Sequence, residues 1–284
     1  MNLNASLEKS LAGRWIAGYY PEDALERTKL FNSKHISTII NFLGEDIQER
    51  KKISNTVKTY IWIIKEIKNR RLKAGLSVKP TQLGLNISYN LMYSNYLKIV
   101  RQAKKSGVFV WFDMEGAKNV DSTIKAYKRA MHNGNTGICI QAYLKRSEKD
   151  AESLLRSHAI IRLVKGAYKA DPELSFKSKR DINRNYLRIM RELFYKSKRF
   201  MIATHDSRII EEAIKLNRKY KRNVIFAMLN GIRNKYALYL SKSGQKVMVY
   251  VPFGEEWFSY GVRRIAEQGH LSLIIRSLFE KQEL

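Results

Sequence analysis

The segment AIIRLVKGAY (159–168) is apolar and strand-like, yet it carries Arg162 and Lys165 in its middle. A cation inside a buried strand costs several kcal/mol unless an anion meets it. A second cationic group sits in GEEWFSYGVRRIAEQ (254–268), where Tyr260, Arg263, Arg264 and Glu267 are spaced i, i+3, i+4 and i+7. That spacing is one face of a helix, and Glu255 and Glu256 in its first turn suit the positive end of the helix dipole. Two adjacent guanidinium forks can clamp a ligand carboxylate; with Glu267 they can equally form a surface ion pair worth little. Further polar residues interrupt apolar runs: Lys79, Thr81, Gln82, Asp113, Glu115, Gln141, Tyr143, Tyr168, Thr204, His205 and Tyr250. The group is mainly cationic, with Asp113 and Glu267 opposing Lys79, Arg162, Lys165, Arg263 and Arg264. It implies an anionic ligand, and Tyr168, Tyr250 and Tyr260 can wall in something small and apolar.

These residues need a scaffold that gathers them, and the apolar runs suggest one. The runs are ISTIINFL (36–43), GLSVKPTQL (75–83), GVFVWFDM (107–114), TGICIQAYL (136–144), AIIRLVKGAY (159–168), RFMIATH (199–205), NVIFAMLNG (223–231) and KVMVYVPFG (246–254). Each has strand length and composition, with helical candidates between them. Alternating strand and helix implies parallel strands with crossover helices. Eight units predict an α/β fold of the (βα)8 TIM-type, whose strands are buried on both faces and which does its chemistry at their C-terminal ends. The polar interruptions cluster at those ends. An open doubly wound sheet is the competitor, but no GxGxxG follows an early strand and no GxxxxGK[ST] occurs. PEDALERTKLFN (21–32) predicts a helix ahead of the first strand, dividing the chain into an N-terminal helical extension (1–35) and a barrel (36–284).

Composition narrows the classes further. At 284 residues and 44% hydrophobic content the chain can bury a sizeable core. No apolar run approaches a membrane span, and MNLNASLEKSLAGRW has no signal-peptide pattern, so the expected location is cytoplasmic. The single Cys139, in an apolar run, reads as a buried inert thiol. Five scattered histidines show no metal-ligand spacing, and no metal is expected. The formal net charge of +27 suits nucleic acid or an anionic membrane surface, or simply a solvated basic exterior. No zinc finger, RRM or KH signature accompanies it, so no specific nucleic-acid partner is expected.

RLVKGAY (162–168), ATH (203–205), VYVPFG (249–254) and YGVRRIAE (260–267) resemble the signature segments of the flavin-dependent proline dehydrogenases. NFLGE (41–45), SVKPTQLGL (77–85), DME (113–115) and QAYLKR (141–146) follow the family's order, so the likeness runs from about residue 18 to 280. The resemblance implies a (βα)8 barrel with non-covalent FAD, in the monofunctional form. It implies oxidation of L-proline to Δ1-pyrroline-5-carboxylate by hydride transfer from proline C5 to the flavin N5, a quinone as electron acceptor, and a role in proline catabolism. On the cofactor side it assigns Arg162 to the N5 edge, Met114 and Gln141 to the ring, and Lys165, Gly166 and Ala167 to the cofactor wall. Thr204 and His205 fall on the adenosine-pyrophosphate side. On the substrate side it assigns Lys79, Arg263 and Arg264 to the carboxylate, Asp113 to the acidic position beside the substrate, and Leu163, Tyr168, Tyr250 and Tyr260 to the pyrrolidine ring. The FAD pyrophosphate and the reduced ring would be the anions that meet Arg162 and Lys165, while Asp113 would orient Lys79 or the substrate nitrogen. Three departures stand out: Ala227 replaces an amide, Asp206 stands where asparagine is usual, and KADPELSF (169–176) follows Tyr168 in place of an aromatic-acidic continuation. Alternatives are the same chemistry on hydroxyproline or another cyclic imino acid, a non-catalytic basic barrel that binds nucleic acid, and peripheral contact with an anionic membrane.

Overall fold

The computed structural model describes residues 15–257 and 260–261. Eight parallel strands close into a barrel in sequence order: β1 (Ser37–Phe42), β2 (Ala74–Val78), β3 (Phe109–Phe112), β4 (Thr136–Gln141), β5 (Ile161–Val164), β6 (Arg199–Ala203), β7 (Asn223–Leu229) and β8 (Lys246–Phe253). The ring is sealed by β8 pairing with β1, where Ile39 lies opposite Tyr250 and Asn41 opposite Pro252. Helix α1 (Pro21–Ser33) precedes the barrel, and the crossover helices are α2 (Arg50–Asn69), α3 (Tyr89–Ser106), α4 (Val120–Ala130), α5 (Ser147–Arg156), α6 (Lys179–Lys196), α7 (Ser207–Tyr220) and α8 (Asn234–Lys242). All eight expected strands are present, and the barrel replaces the open-sheet alternative.

Alternation along the strands sorts side chains into two cores. Outward residues such as Leu76, Phe112, Ile140 and Leu163 join the large core under the helices. Inward residues Ile39, Trp111, Met201, Ile225 and Ala227 fill the barrel interior. Trp111 fits because Gly137 lies opposite it in the register; a Cβ there would approach the indole to 2.6 Å.

The strands are shorter than several of the apolar runs. Lys165–Tyr168 lie beyond the end of β5, and Lys79–Leu83 form a turn beyond β2 that contains a short 3-10 segment. Lys165 is thus a loop residue and half-buried, whereas Arg162 is a strand residue and fully interior. Helix α1 packs its buried Ala24, Leu25, Thr28 and Phe31 over the seam between β8 and β1, where the Thr28 and Thr38 hydroxyls meet at 2.9 Å. The chain beyond β8 brings Tyr260 against Trp15, Ile16, Leu43 and Ile232 and into the wall of the cavity described next.

Candidate active site

A cavity of about 840 Å³ opens at the C-terminal ends of the strands, the catalytic face of this architecture. Its floor is a buried ion pair. Arg162 of β5 donates to Asp113, one residue past β3, and both are almost fully buried. Asp113 also accepts from Ser77 Oγ at 2.6 Å and from the Tyr250 hydroxyl at 3.1 Å. The Arg162 guanidinium lies 5.4 Å from the Trp111 ring and 5.6 Å from the Tyr250 ring. Burial opposes the Arg162 charge, but the Asp113 carboxylate outweighs it and holds the group protonated, with its pKa raised. The Nε and Nη1 atoms of this guanidinium have no hydrogen-bond partner. A buried donor left unmade is costly, and Arg162 is also part of the cavity lining.

Asp113, rather than a ligand, is therefore the nearest anion to Arg162. Asp113 was expected to orient Lys79 or the substrate nitrogen; Lys79 Nζ instead donates to Asn41 Oδ1 at 2.9 Å. Asn41 and Ser77 were missed as site residues, although each is a polar interruption in a β1 or β2 run. Asn41 is fixed in turn by its amide, which donates to the Ser77 carbonyl at 2.9 Å.

Lys79, Met114, Gln141, Gly166, Ala167, Tyr168, Thr204, His205, Tyr250 and Tyr260 all line the same cavity as Arg162, Asp113 and Lys165. Leu163 does not. Between inward Arg162 and Val164 it faces the helices, where it is fully buried and its carbonyl accepts from Tyr186 at 3.0 Å. Arg263 and Arg264 lie outside the described residues. Gly166 has φ +106°, and a Cβ there would come within 2.2 Å of the Tyr143 ring, so only glycine lets the loop pass this close. The buried Tyr143 hydroxyl has no partner, and burial pushes its pKa up to about 12. His205 is oriented by Leu229, whose N–H donates to Nε2 at 3.1 Å, and Tyr168 donates to Glu45 at 2.8 Å. Cys139 is buried and lines the cavity beside Arg162; burial raises its pKa, which keeps the thiol protonated.

One buried carboxylate, named among the polar interruptions but given no role there, ties the floor together. Glu115 accepts from Thr81 N at 2.9 Å and Thr81 Oγ1 at 2.6 Å, and its carbonyl accepts from Gln141 Nε2 at 2.8 Å. Thr81 Oγ1 in turn accepts from Asp46 N at 2.9 Å. Loops after β1, β2 and β3 and the end of β4 are thereby linked, two residues from both Lys79 and Asp113. Burial pushes Glu115 up to about 7, against the hydrogen bonds from Thr81.

The arrangement can bind an anionic ligand against a fixed buried cation, with aromatic walls around it. Among the described residues, no group of three His, Cys, Asp or Glu has the arrangement of a metal site. The fold is shared with solved proteins: the chain superposes on proline utilization A from Bdellovibrio bacteriovorus inactivated by N-propargylglycine, with a TM-score of 0.87 and 22% identity, over 98% of this chain and 35% of that one. The chain thus spans about a third of that structure, and at this identity the likeness is one of fold. Sequence relatives are nearer: proline dehydrogenase 2 of Bacillus subtilis is 33% identical over 262 residues, 90% of this chain and 86% of the relative. The proline dehydrogenase of Deinococcus radiodurans is 31% identical over 267 residues, 91% of this chain and 86% of the relative. With residues 24–276 also matching the proline dehydrogenase family model, and the signature segments gathered around one cavity, the chain belongs to the proline dehydrogenase family.

Proposed function

We propose that the protein oxidises L-proline to Δ1-pyrroline-5-carboxylate with non-covalently bound FAD, passing the electrons to a quinone. The observation that carries this reading is Arg162, a buried guanidinium with two nitrogens that make no hydrogen bond, on a cavity wall shared with Lys79, Tyr168, Tyr250 and Tyr260. The residues fit a flavin dinucleotide in three respects. The cavity is within the usual range for small-molecule and cofactor sites, Gly166 and Ala167 give it a stretch of wall without bulky side chains, and Lys165 supplies a cation on the Thr204–His205 side. FAD, when bound, supplies the two-electron acceptor that no side chain can provide.

The chain's own residues bind, orient and balance charge. Met114, Gln141, Arg162, Lys165, Gly166, Ala167, Thr204 and His205 hold the cofactor. Lys79, with Arg263 and Arg264 carried over from the family pattern, takes the proline carboxylate, and Tyr168, Tyr250 and Tyr260 enclose the ring. Arg162 stabilises negative charge that develops beside it. Asp113 keeps that guanidinium in place and, through the hydrogen bond it accepts from Tyr250, fixes one wall of the substrate pocket.

Contact with an anionic membrane surface is the companion proposal for quinone access. Helix α3 carries no Asp or Glu, and Asp121, the acid of α4, is held by Arg146 at 2.5 Å. Lys98, Arg101, Lys104, Lys105, Lys125 and Arg129 are exposed on these two helices. No helix among the described residues is long and apolar enough to cross a membrane.

The test is an anaerobic titration of the FAD-loaded protein. L-Proline should bleach the flavin absorbance, and trans-4-hydroxyproline, added in parallel, should do so more slowly. Bound FAD that L-proline leaves oxidised would reject the assignment.

A further inference from the structure

Lys165 lines the main cavity, and its ammonium donates to Asp206 Oδ2 at 2.8 Å. Asp206 lines a second, smaller cleft between α6 and α7, which shares Lys179 and Asn183 with the main cavity. The ion pair is therefore part of the wall between the two spaces. Its two members differ in freedom. Asp206 is the N-cap of α7: its Oδ1 accepts from Arg208 N at 3.2 Å, and its own N–H donates to Thr204 Oγ1 at 3.1 Å. Lys165 reaches the pair on a long flexible stem from the loop after β5.

A helix N-terminus attracts anions through its free N–H groups and its dipole. In α7 that position is already taken by the helix's own capping carboxylate. Burial alone would raise the Asp206 carboxyl, but the Lys165 ammonium outweighs it and holds the pKa below the ordinary aspartate value. The carboxylate thus stays charged at neutral pH, beside the cation that a phosphate arriving in the cavity would use.

We propose that Asp206 competes with the cofactor's phosphates for the Lys165 ammonium, so that the main cavity holds the dinucleotide more weakly than its cations allow. The inference rests on the FAD reading above and concerns affinity, not the reaction. Asn at this position caps a helix as well as Asp does, so Asp206→Asn removes the competing charge while keeping the cap.

The experiment measures the affinity of purified protein for FAD, ADP and riboflavin, by flavin fluorescence for the flavins and by competition for ADP, in wild type, Asp206→Asn, Lys165→Met and the double variant. Asp206→Asn should bind FAD and ADP about tenfold more tightly, the worth of one charge-assisted contact, and riboflavin unchanged. The gain should shrink as salt is added and vanish when Lys165→Met is present. Thermal melts confirm that each variant is folded. An Asp206→Asn protein that binds FAD no tighter, or more weakly, overturns the inference and makes Asp206 an organiser of Lys165. Equal tightening of riboflavin overturns it too, because the effect would not be at the phosphates. A wild type that binds no FAD overturns the functional reading and this inference with it. A wild type that binds FAD without the expected gain in Asp206→Asn overturns this inference alone.

Discussion

At the scale of residues, the site is organised around two buried carboxylates with different tasks. Asp113 neutralises a buried guanidinium, and removing one member of such a pair strands the other charge. Glu115 instead accepts hydrogen bonds with no cation in direct contact; the nearby charges acting on it are Glu45, which raises its pKa, and Lys79, which lowers it. Its folded pKa of about 7 lies above the ordinary glutamate value of 4.5, so the folded state binds this proton more tightly than the unfolded state. The associated stabilisation is complete below about pH 4.5, is lost as pH rises through 7, and amounts to about 3 kcal/mol. Glu115→Gln cannot titrate. Its unfolding free energy relative to wild type should therefore move in the variant's favour by about 3 kcal/mol between pH 4 and pH 8, as read from urea denaturation at each pH. Two curves that stay parallel across that window would show that Glu115 titrates normally. Much of this was hidden in the sequence. Arg162 announced that it needed an anion, but its partner is 49 residues away and adjacency in a barrel is not local. Leu163 was placed on the wrong side for a reason that was legible: once Arg162 points inward, its neighbour on a strand must point outward.

At the scale of elements, all eight strands were readable because strands buried on both faces are continuously apolar. Their ends were not. The loop after β5 carries Gly166, Ala167 and Tyr168, which extend the apolar run without extending the ladder, since the backbone turns at Gly166 with φ +106°. This turn seats the loop on the Tyr143 ring, while Tyr143 N donates to the Lys165 carbonyl at 2.8 Å and its carbonyl accepts from Phe176 N at 2.7 Å. Gly166→Ala combines an unfavourable backbone conformation with a Cβ 2.2 Å from the ring. It should destabilise the protein by about 2 kcal/mol or more and weaken FAD binding, as read from the denaturation midpoint and flavin fluorescence. An unchanged midpoint would mean that the loop does not rest on Tyr143. Helix α1 was predicted ahead of the first strand from its amphipathic pattern. That it covers the β8–β1 seam depends on contacts that no local pattern encodes.

At the scale of the whole molecule, the excess of 53 basic over 26 acidic side chains gives +27, a field that acts over about 8 Å at physiological ionic strength. Composition alone left open whether that charge has a direction. The acid-poor face of α3 and α4 supplies one. Tyr89 and Tyr93 stack there at 6.1 Å, with Arg129 4.2 Å from the Tyr93 ring and Lys125 5.0 Å from the Tyr89 ring, which holds those cations in place on the surface. Each basic group near an anionic bilayer contributes about 1 kcal/mol, so under the proposed membrane contact this cluster would supply reversible attachment at low salt. The protein should therefore sediment with vesicles containing phosphatidylserine or phosphatidylglycerol, remain free of phosphatidylcholine vesicles, and be released by ~0.5 M salt, where screening is short-ranged. Reversing Lys98, Arg101 and Lys105 to Glu should abolish sedimentation, while the same number of reversals on α6, at Arg180, Arg184 and Arg188, should leave most of it intact. If both triple variants lose binding equally, the attraction belongs to net charge, and α3–α4 has no privileged role in bringing the cavity to a lipid-dissolved quinone.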